Sequence, residues 1–302
     1  MTPLPSSITV REVGPRDGLQ PEAPIAVAAR LELIRALVAA GLRDIEVAAF
    51  VSPRAVPAMA GAAEVVGGLP RADDVTWWAL VPNVKGAELA LAAGVDHLTV
   101  TVSVSETYSV RNVGMSTAES MAGAVTIAGL ATTVDIVLSC AFGSPYEGEI
   151  PVRDVADLAE RCRDAGASVT LADTTGVATP RRIGDVIDLV GSDVGLHLHD
   201  TRATALVNAY AAMELGVSRF DTAVGGLGGS PFAAGAGGNL ATEELIHLCD
   251  DVGVSTGVNL ERLLAASALA GGLLGRTVPS RLAAAGPRTR LASPAAPSAA
   301  DG

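Results

Sequence analysis

The chain has 302 residues, of which 49% are hydrophobic and 3% aromatic, and its 33 acidic and 21 basic residues give a formal net charge of −12. Ala, Val and Leu supply enough apolar bulk for a large core, which excludes disorder over most of the length. The acidic balance excludes nucleic acid and anionic membrane as main partners, and no apolar run reaches the ~18 residues of a spanning helix.

Short apolar runs alternate with longer helical patterns along the whole chain. In order, strands are predicted at 8–13, 43–48, 75–81, 96–102, 133–138, 167–172, 194–199 and 218–223. Helices are predicted near 26–40, 55–67, 84–93, 116–129, 152–165, 180–190, 203–215 and 240–252. Strand–helix alternation implies a parallel sheet with right-handed crossovers. Eight units without a dinucleotide fingerprint favour a closed (β/α)8 TIM barrel over an open doubly wound sheet, and such a barrel uses ~250 residues as one domain. An extra helical segment follows at 254–275. The barrel domain with this extension is expected to span 1–283, and the Ala/Pro-rich stretch 284–302 to be a disordered tail. No basic region followed by an apolar stretch opens the N-terminus, so no secretory signal is visible. Cys140, Cys162 and Cys249 have no paired spacing. They read as reduced thiols of a cytoplasmic protein.

Barrel chemistry sits at the C-terminal ends of the strands. Polar residues are expected to be scarce inside a barrel, so those at strand ends are informative. His197 and His199 stand two apart on predicted strand seven, so both imidazoles share one face at the barrel mouth. With Asp17 they form a mixed N/O set that fits Mg2+ or Mn2+ better than a thiolate-type zinc site, with Zn2+ and Co2+ as open alternatives; the bland alternative is two hydrogen-bonded barrel histidines. Arg16 and Asp17 follow strand one in a turn made by Gly14, Pro15 and Gly18. Adjacent side chains diverge, which favours separate roles over a mutual salt bridge, with Arg16 as an oxyanion partner. A glycine loop at 225–239 carries seven glycines in fifteen residues and suits close approach to a ligand, or a lid. Ser230 and Asn239 are its polar candidates. Glu46 and Asp173, near the ends of strands two and six, can orient Arg16 or move protons, or serve as hydrogen-bonded barrel carboxylates. His97 falls at the barrel bottom and His247 in a helix, outside the site.

Taken together, VGPRDGLQ (13–20), FVSPRAVPAMAG (50–61), SCAFGSPYEG (139–148), HLHDT (197–201) and GLGGSPFAAGAGGNLATEEL (226–245) resemble the hydroxymethylglutaryl-CoA lyase family of metal-dependent lyase and synthase barrels, over residues 8 to about 280. The glycine loop is the specific match; the Arg–Asp turn and the His-x-His are shared with the wider superfamily. The resemblance implies that Asp17, His197, His199 and Asn239 ligate a divalent metal and that Arg16 stabilises an enolate. It implies that Glu46 and Asp173 surround the site and that Glu243 supports the loop. It further implies an acyl-CoA substrate, acetyl-CoA and a keto acid as products, and a homodimer whose interface would suit the apolar segment 263–275. Several positions depart from the family. Ser230 replaces a cysteine that serves as catalytic acid or base. Ala23 replaces a lysine near the CoA. Asp135, Ile136 and Val137 replace Arg-Gly-Tyr on strand five, Ser144 replaces a second cysteine, and Arg202 and Ala203 replace Tyr-Gly. The metal centre is therefore expected intact and the acyl pocket changed. Two alternatives follow: the same chemistry on another branched 3-hydroxyacyl-CoA of the citramalyl-CoA type, or a non-catalytic metal- and CoA-binding barrel.

Overall fold

The computed structural model describes residues 3–70, 72–95, 97–229 and 237–292. Among them, parallel strands Thr9–Glu12 (β1), Asp44–Ala49 (β2), Thr76–Leu80 (β3), His97–Ser103 (β4), Thr133–Ser139 (β5), Ser168–Asp173 (β6), Gly195–Leu198 (β7) and Arg219–Thr222 (β8) pair in sequence order, and β8 closes on β1. The predicted (β/α)8 barrel is the observed fold.

Helices Val27–Ala40 (α1), Ala62–Gly67 (α2), Val84–Ala93 (α3), Glu106–Val113 (α4), Thr117–Ala128 (α5), Val152–Asp164 (α6), Pro180–Val190 (α7), Ala205–Glu214 (α8) and Thr242–Val252 (α9) surround the ring. Local capping explains several starts: Asn83 accepts from Gly86 N, Ser116 and Glu119 form a reciprocal box, and Pro180 follows the Thr179 cap. The predicted helix 55–67 is instead a short turn, Pro57–Met59, followed by α2. Pro57 has no N–H to extend a helix through that stretch. α4 was not anticipated; it is short and polar, and Ser105 caps it by accepting from Tyr108 N.

The inside of the ring departs from expectation. Alternation sends Val10, Ile45, Val47, Leu98, Val134, Ile136, Val169, Leu196 and Phe220, all buried, toward the helices. Arg11, Glu46, Thr99, Asp135, Thr170, His197 and Asp221 occupy the other face, and they too are buried. Barrel interiors are ordinarily filled by branched apolar residues. Here the interior is charged and hydrogen-bonded, so polar residues are abundant rather than scarce.

After the ring, Ser255 bridges to the N-terminal segment: Ser255 N donates to Ser6 O, and Ile8 N donates to Ser255 O. The predicted extra helix is observed as Leu260–Leu274 (α10), packed on α1. Its Leu263, Ala266 and Ala270 are buried within the chain. A further short helix, Arg281–Ala285 (α11), and the turn Arg288–Ala292 follow. Arg288 pairs with Asp251 at 2.8 Å and Arg290 with Glu261 at 2.6 Å. Residues 281–292 thus carry α11 and a further turn, ion-paired at the surface with α9 and α10, and 293–302 lie outside the described residues. Among the described residues, no helix is long and apolar enough to cross a membrane.

Candidate active site

Residues Gly14–Gly18 form one wide helical turn, with Gly18 N and Leu19 N donating to carbonyls five residues back. Turns of this width recur at functional positions. The turn brings Arg16 and Asp17 to the same side, against the sequence expectation. Arg16 Nη1 donates to Asp17 Oδ1 at 2.6 Å, because the long side chain curls back over its neighbour. Arg16 Nε donates to Glu46, whose second oxygen accepts from Thr99 Oγ1. Glu46 thus orients Arg16 from mid-β2. Among the described residues no partner meets Arg16 Nη2, which leaves donor capacity for a substrate oxygen.

Asp173 does not meet Arg16. The interior face of β6 carries Ser168, Thr170 and Ala172, so Asp173 is one position out of phase. Its oxygens accept from Val177 N and Ala178 N at 2.9 and 3.0 Å and hold the loop after β6. Burial raises its carboxyl to about 6 against those two bonds.

His197 and His199 do converge. His197 Nδ1 lies 3.1 Å from Asp221 Oδ2, and His199 Nδ1 lies 3.0 Å from the Thr174 carbonyl. An acceptor at each Nδ1 places the proton there and leaves Nε2 as the lone-pair atom. The two Nε2 atoms face each other at 3.3 Å. Lone pairs at that separation repel unless a cation or proton is shared between them. Asp17 Oδ2 is 3.9 Å from His197 Nε2, and ligand atoms of Asp17, His197 and His199 all lie within 4.8 Å of one another.

Asn239 lies beside this set. A backbone bridge to His199 aligns it, and its Nδ2 donates to Asp17 Oδ2 at 2.8 Å and to Leu227 O at 3.0 Å. Its Oδ1 is buried without a partner, an arrangement that costs about 1–3 kcal/mol unless a ligand completes it. Gly228 makes room: at φ +108° an added Cβ would stand 2.3 Å from Asn239 Nδ2 and 3.4 Å from Asp17 Oδ2. Two imidazoles, a carboxylate and an amide oxygen suit a divalent cation.

The electrostatics agree. Burial works against the Asp17 carboxylate, yet Arg16, the two imidazoles and the Asn239 bond hold it below its ordinary value. Burial, reinforced by His197, lowers His199 to about 4, so that ring is neutral. For His197 burial is outweighed by the Asp221 hydrogen bond and the charges of Asp17 and Asp221, which raise it. Protons therefore compete with a cation chiefly at His197.

The remaining candidates divide. Ser230 lies outside the described residues. Glu243 is buried; it accepts from Gly225 N at 3.0 Å and from Ser267 Oγ at 2.8 Å, bracing the start of the glycine loop. His97 begins β4 and packs edge-on against Trp78 at 5.2 Å, away from the site, and His247 lies on α9. Asp135 is not in an acyl pocket. It sits deeper, accepting from Arg11 Nη2 and Thr170 Oγ1, each at 2.8 Å, so the guanidinium of this layer comes from β1 rather than β5. Ser144 is tied to Ser105 at 2.9 Å and to Glu147 in the turn after β5. Arg202 is exposed, with Nη1 donating to Thr175 O at 2.8 Å and Gly176 O at 3.0 Å. Sequence reasoning missed Asp221 and Arg11, although charged residues in otherwise apolar strands (ITVREV, SRFDTA) were a signal that something inside the ring needed them.

Comparison with known proteins gives the family. The family model described as HMGL-like matches residues 7–270. The chain is 41% identical to a 3-hydroxy-3-isohexenylglutaryl-CoA/hydroxymethylglutaryl-CoA lyase of Pseudomonas aeruginosa, covering 93% of this chain and 98% of that one. It is 40% identical to an (R)-citramalyl-CoA lyase of Chloroflexus aurantiacus, covering 93% and 95%. A crystal structure of an HMG-CoA lyase from Acinetobacter baumannii, in complex with coenzyme A and 3-methylmalate, superposes with a TM-score of 0.91 at 39% identity, covering 97% and 100%. Sequence and architecture agree over nearly the full length of these relatives, and the chain belongs to the HMG-CoA lyase family of TIM-barrel enzymes.

Proposed function

We propose that this carbon–carbon lyase catalyses the retro-Claisen cleavage of 3-hydroxy-3-methylglutaryl-CoA to acetyl-CoA and acetoacetate. The observation that carries the reading is the convergence of two Nε2 lone pairs, one carboxylate and one unpartnered amide oxygen beside a guanidinium with a donor to spare.

Asp17, His197, His199 and Asn239 would hold Mg2+ or Mn2+. Bound there, a divalent cation supplies Lewis acidity that makes a coordinated hydroxyl acidic near neutral pH. The chain's own groups do the rest. Asp221 and the Thr174 carbonyl keep each imidazole in the ligating tautomer. As the carbon–carbon bond breaks, charge moves to the thioester oxygen, and Arg16 Nη2 donates to it. A preorganised donor of this kind contributes roughly 3–4 kcal/mol. Glu46 prevents Arg16 from swinging away.

Protonation of the enolate carbon falls to Ser230, at the position of the family's cysteine, or to a group brought by the substrate. A thiol is a far better acid than a hydroxyl, with a pKa of ~8.5.

A branched 3-hydroxyacyl-CoA of the citramalyl-CoA type is the second reading. It is favoured by the 40% identity to an (R)-citramalyl-CoA lyase. Acetyl-CoA release from a panel of both thioesters, with Mg2+ and Mn2+, tests the proposal. Hydroxymethylglutaryl-CoA should have the highest kcat/KM, and Ser230→Cys should raise kcat at least about tenfold if proton transfer limits turnover. No release from any thioester by either form would overturn the lyase assignment. The buried free thiols suit a reducing cytoplasm. A homodimer is expected, and sedimentation tests it.

A further inference from the structure

We propose that Arg11, on the floor of the barrel, is a positioning residue for the cation site: it locks Asp221, and Asp221 locks His197 with Nε2 turned to the mouth. The inference rests on the cation reading given above. The strand register puts the three residues in one row, since Arg11 is the β1 partner of Asp221 and His197 is its β7 partner. Arg11 grips Asp221 at two points, Nε to Oδ1 at 2.8 Å and Nη2 to Oδ2 at 2.9 Å. The same Oδ2 lies 3.1 Å from His197 Nδ1.

Arg11 itself cannot shift. Nη2 also donates to Asp135 Oδ2 at 2.8 Å, and Asp135 accepts from Ser168 Oγ and Thr170 Oγ1, each at 2.8 Å. The Trp78 ring lies 5.1 Å from the guanidinium carbon. All of these groups are buried or half-buried inside the ring. A carboxylate free to rotate could present either oxygen, or none, to His197. One held by a two-point fork presents a single oxygen in one plane. The ring tautomer and tilt of a metal-binding histidine follow from that partner. Arg11 touches neither substrate nor cation, so its effect reaches the site only through Asp221.

The competing role is charge balance alone, with Arg11 neutralising two buried carboxylates. Arg11→Lys separates the two, since it keeps the charge and loses the fork. Two measurements on metal-free protein without substrate decide the matter: Mn2+ affinity by electron paramagnetic resonance titration, and the His197 tautomer from long-range 1H–15N spectra of 15N-histidine-labelled protein. Arg11→Met should weaken Mn2+ binding about tenfold or more and give His197 a mixed tautomer. Arg11→Lys should weaken it at least about threefold, with the tautomer partly restored. If Arg11→Met does not fold, Arg11→Lys decides alone. Mn2+ affinity within twofold of native and an unchanged Nδ1-protonated His197 in the folded variants would overturn the proposal. So would a native protein whose His197 is protonated on Nε2. A native protein that binds no Mn2+ removes the cation reading and this inference with it, whereas native binding matched by both variants removes the inference alone.

Discussion

The mouth and the floor of the barrel both set an arginine against carboxylates, yet their hydrogen-bonding capacity is filled differently. On the floor, Arg11, Asp135, Asp221, Ser168 and Thr170 answer one another at 2.8–2.9 Å. At the mouth, Asn239 Oδ1 is buried without a partner and two imidazole nitrogens face each other at 3.3 Å. Buried polar groups normally find partners. A set that closes on itself belongs to the scaffold, and a set left open marks where something else must arrive.

The sharpest way to break this distinction is at the mouth. His197→Ala should abolish metal-dependent acetyl-CoA release, by ~10³-fold or more, because it removes a ligand of the Lewis acid. Circular dichroism should be unchanged, since one neighbour, Asp221, keeps its Arg11 partner. Activity within tenfold of native would mean that the open set at the mouth is as structural as the closed one below.

A smaller effect is expected from crowding the open set without removing any member of it. Gly228→Ala places a Cβ against Asn239 and demands a left-handed φ from alanine, at a cost of about 1–3 kcal/mol in stability. Mn2+ affinity should fall several-fold in calorimetry. Unchanged affinity would show that Asn239 has latitude and is not a ligand.

The smallest effect tests a closed group. Glu12 accepts from Gly14 N and Val224 N, both at 2.8 Å, and from Thr242 Oγ1 at 2.6 Å. Burial nevertheless raises its carboxyl to about 7. A carboxyl raised in the folded state binds its proton more tightly there than in the unfolded chain. Its stabilising contribution is complete below about 4.5 and is lost as pH rises through about 7. Native protein should therefore lose more Tm between pH 5 and pH 8 than Glu12→Gln, by roughly 2–4 °C. Equal losses would show Glu12 ionised throughout, with its three donors outweighing burial.

Periodicity carried the barrel, because apolar residues facing the helices recur at every second strand position and eight such runs leave few topologies. It also carried the paired imidazoles, whose spacing of two fixes a common face. It failed where one residue of phase decides the outcome. Asp173 shares a strand with interior Thr170 but lies on the other face, and no motif marks the difference. Arg16 and Asp17 were expected to diverge as neighbours ordinarily do, and the wide turn overrides that rule. Asp135 looked like a lost substrate contact because the partner that explains it, Arg11, lies 124 positions away. Such pairings depend on ring closure, which a local pattern does not encode.

The hydrogen bond from Asn239 to Asp17 spans 222 positions. During synthesis, Asp17 leaves the ribosome long before Asn239 has been translated. A nascent chain halted before the eighth unit would hold three of the four groups and no finished pocket. On the proposed cation reading, capture is tied to completion of the polypeptide, and split halves should regain it only upon reassociation.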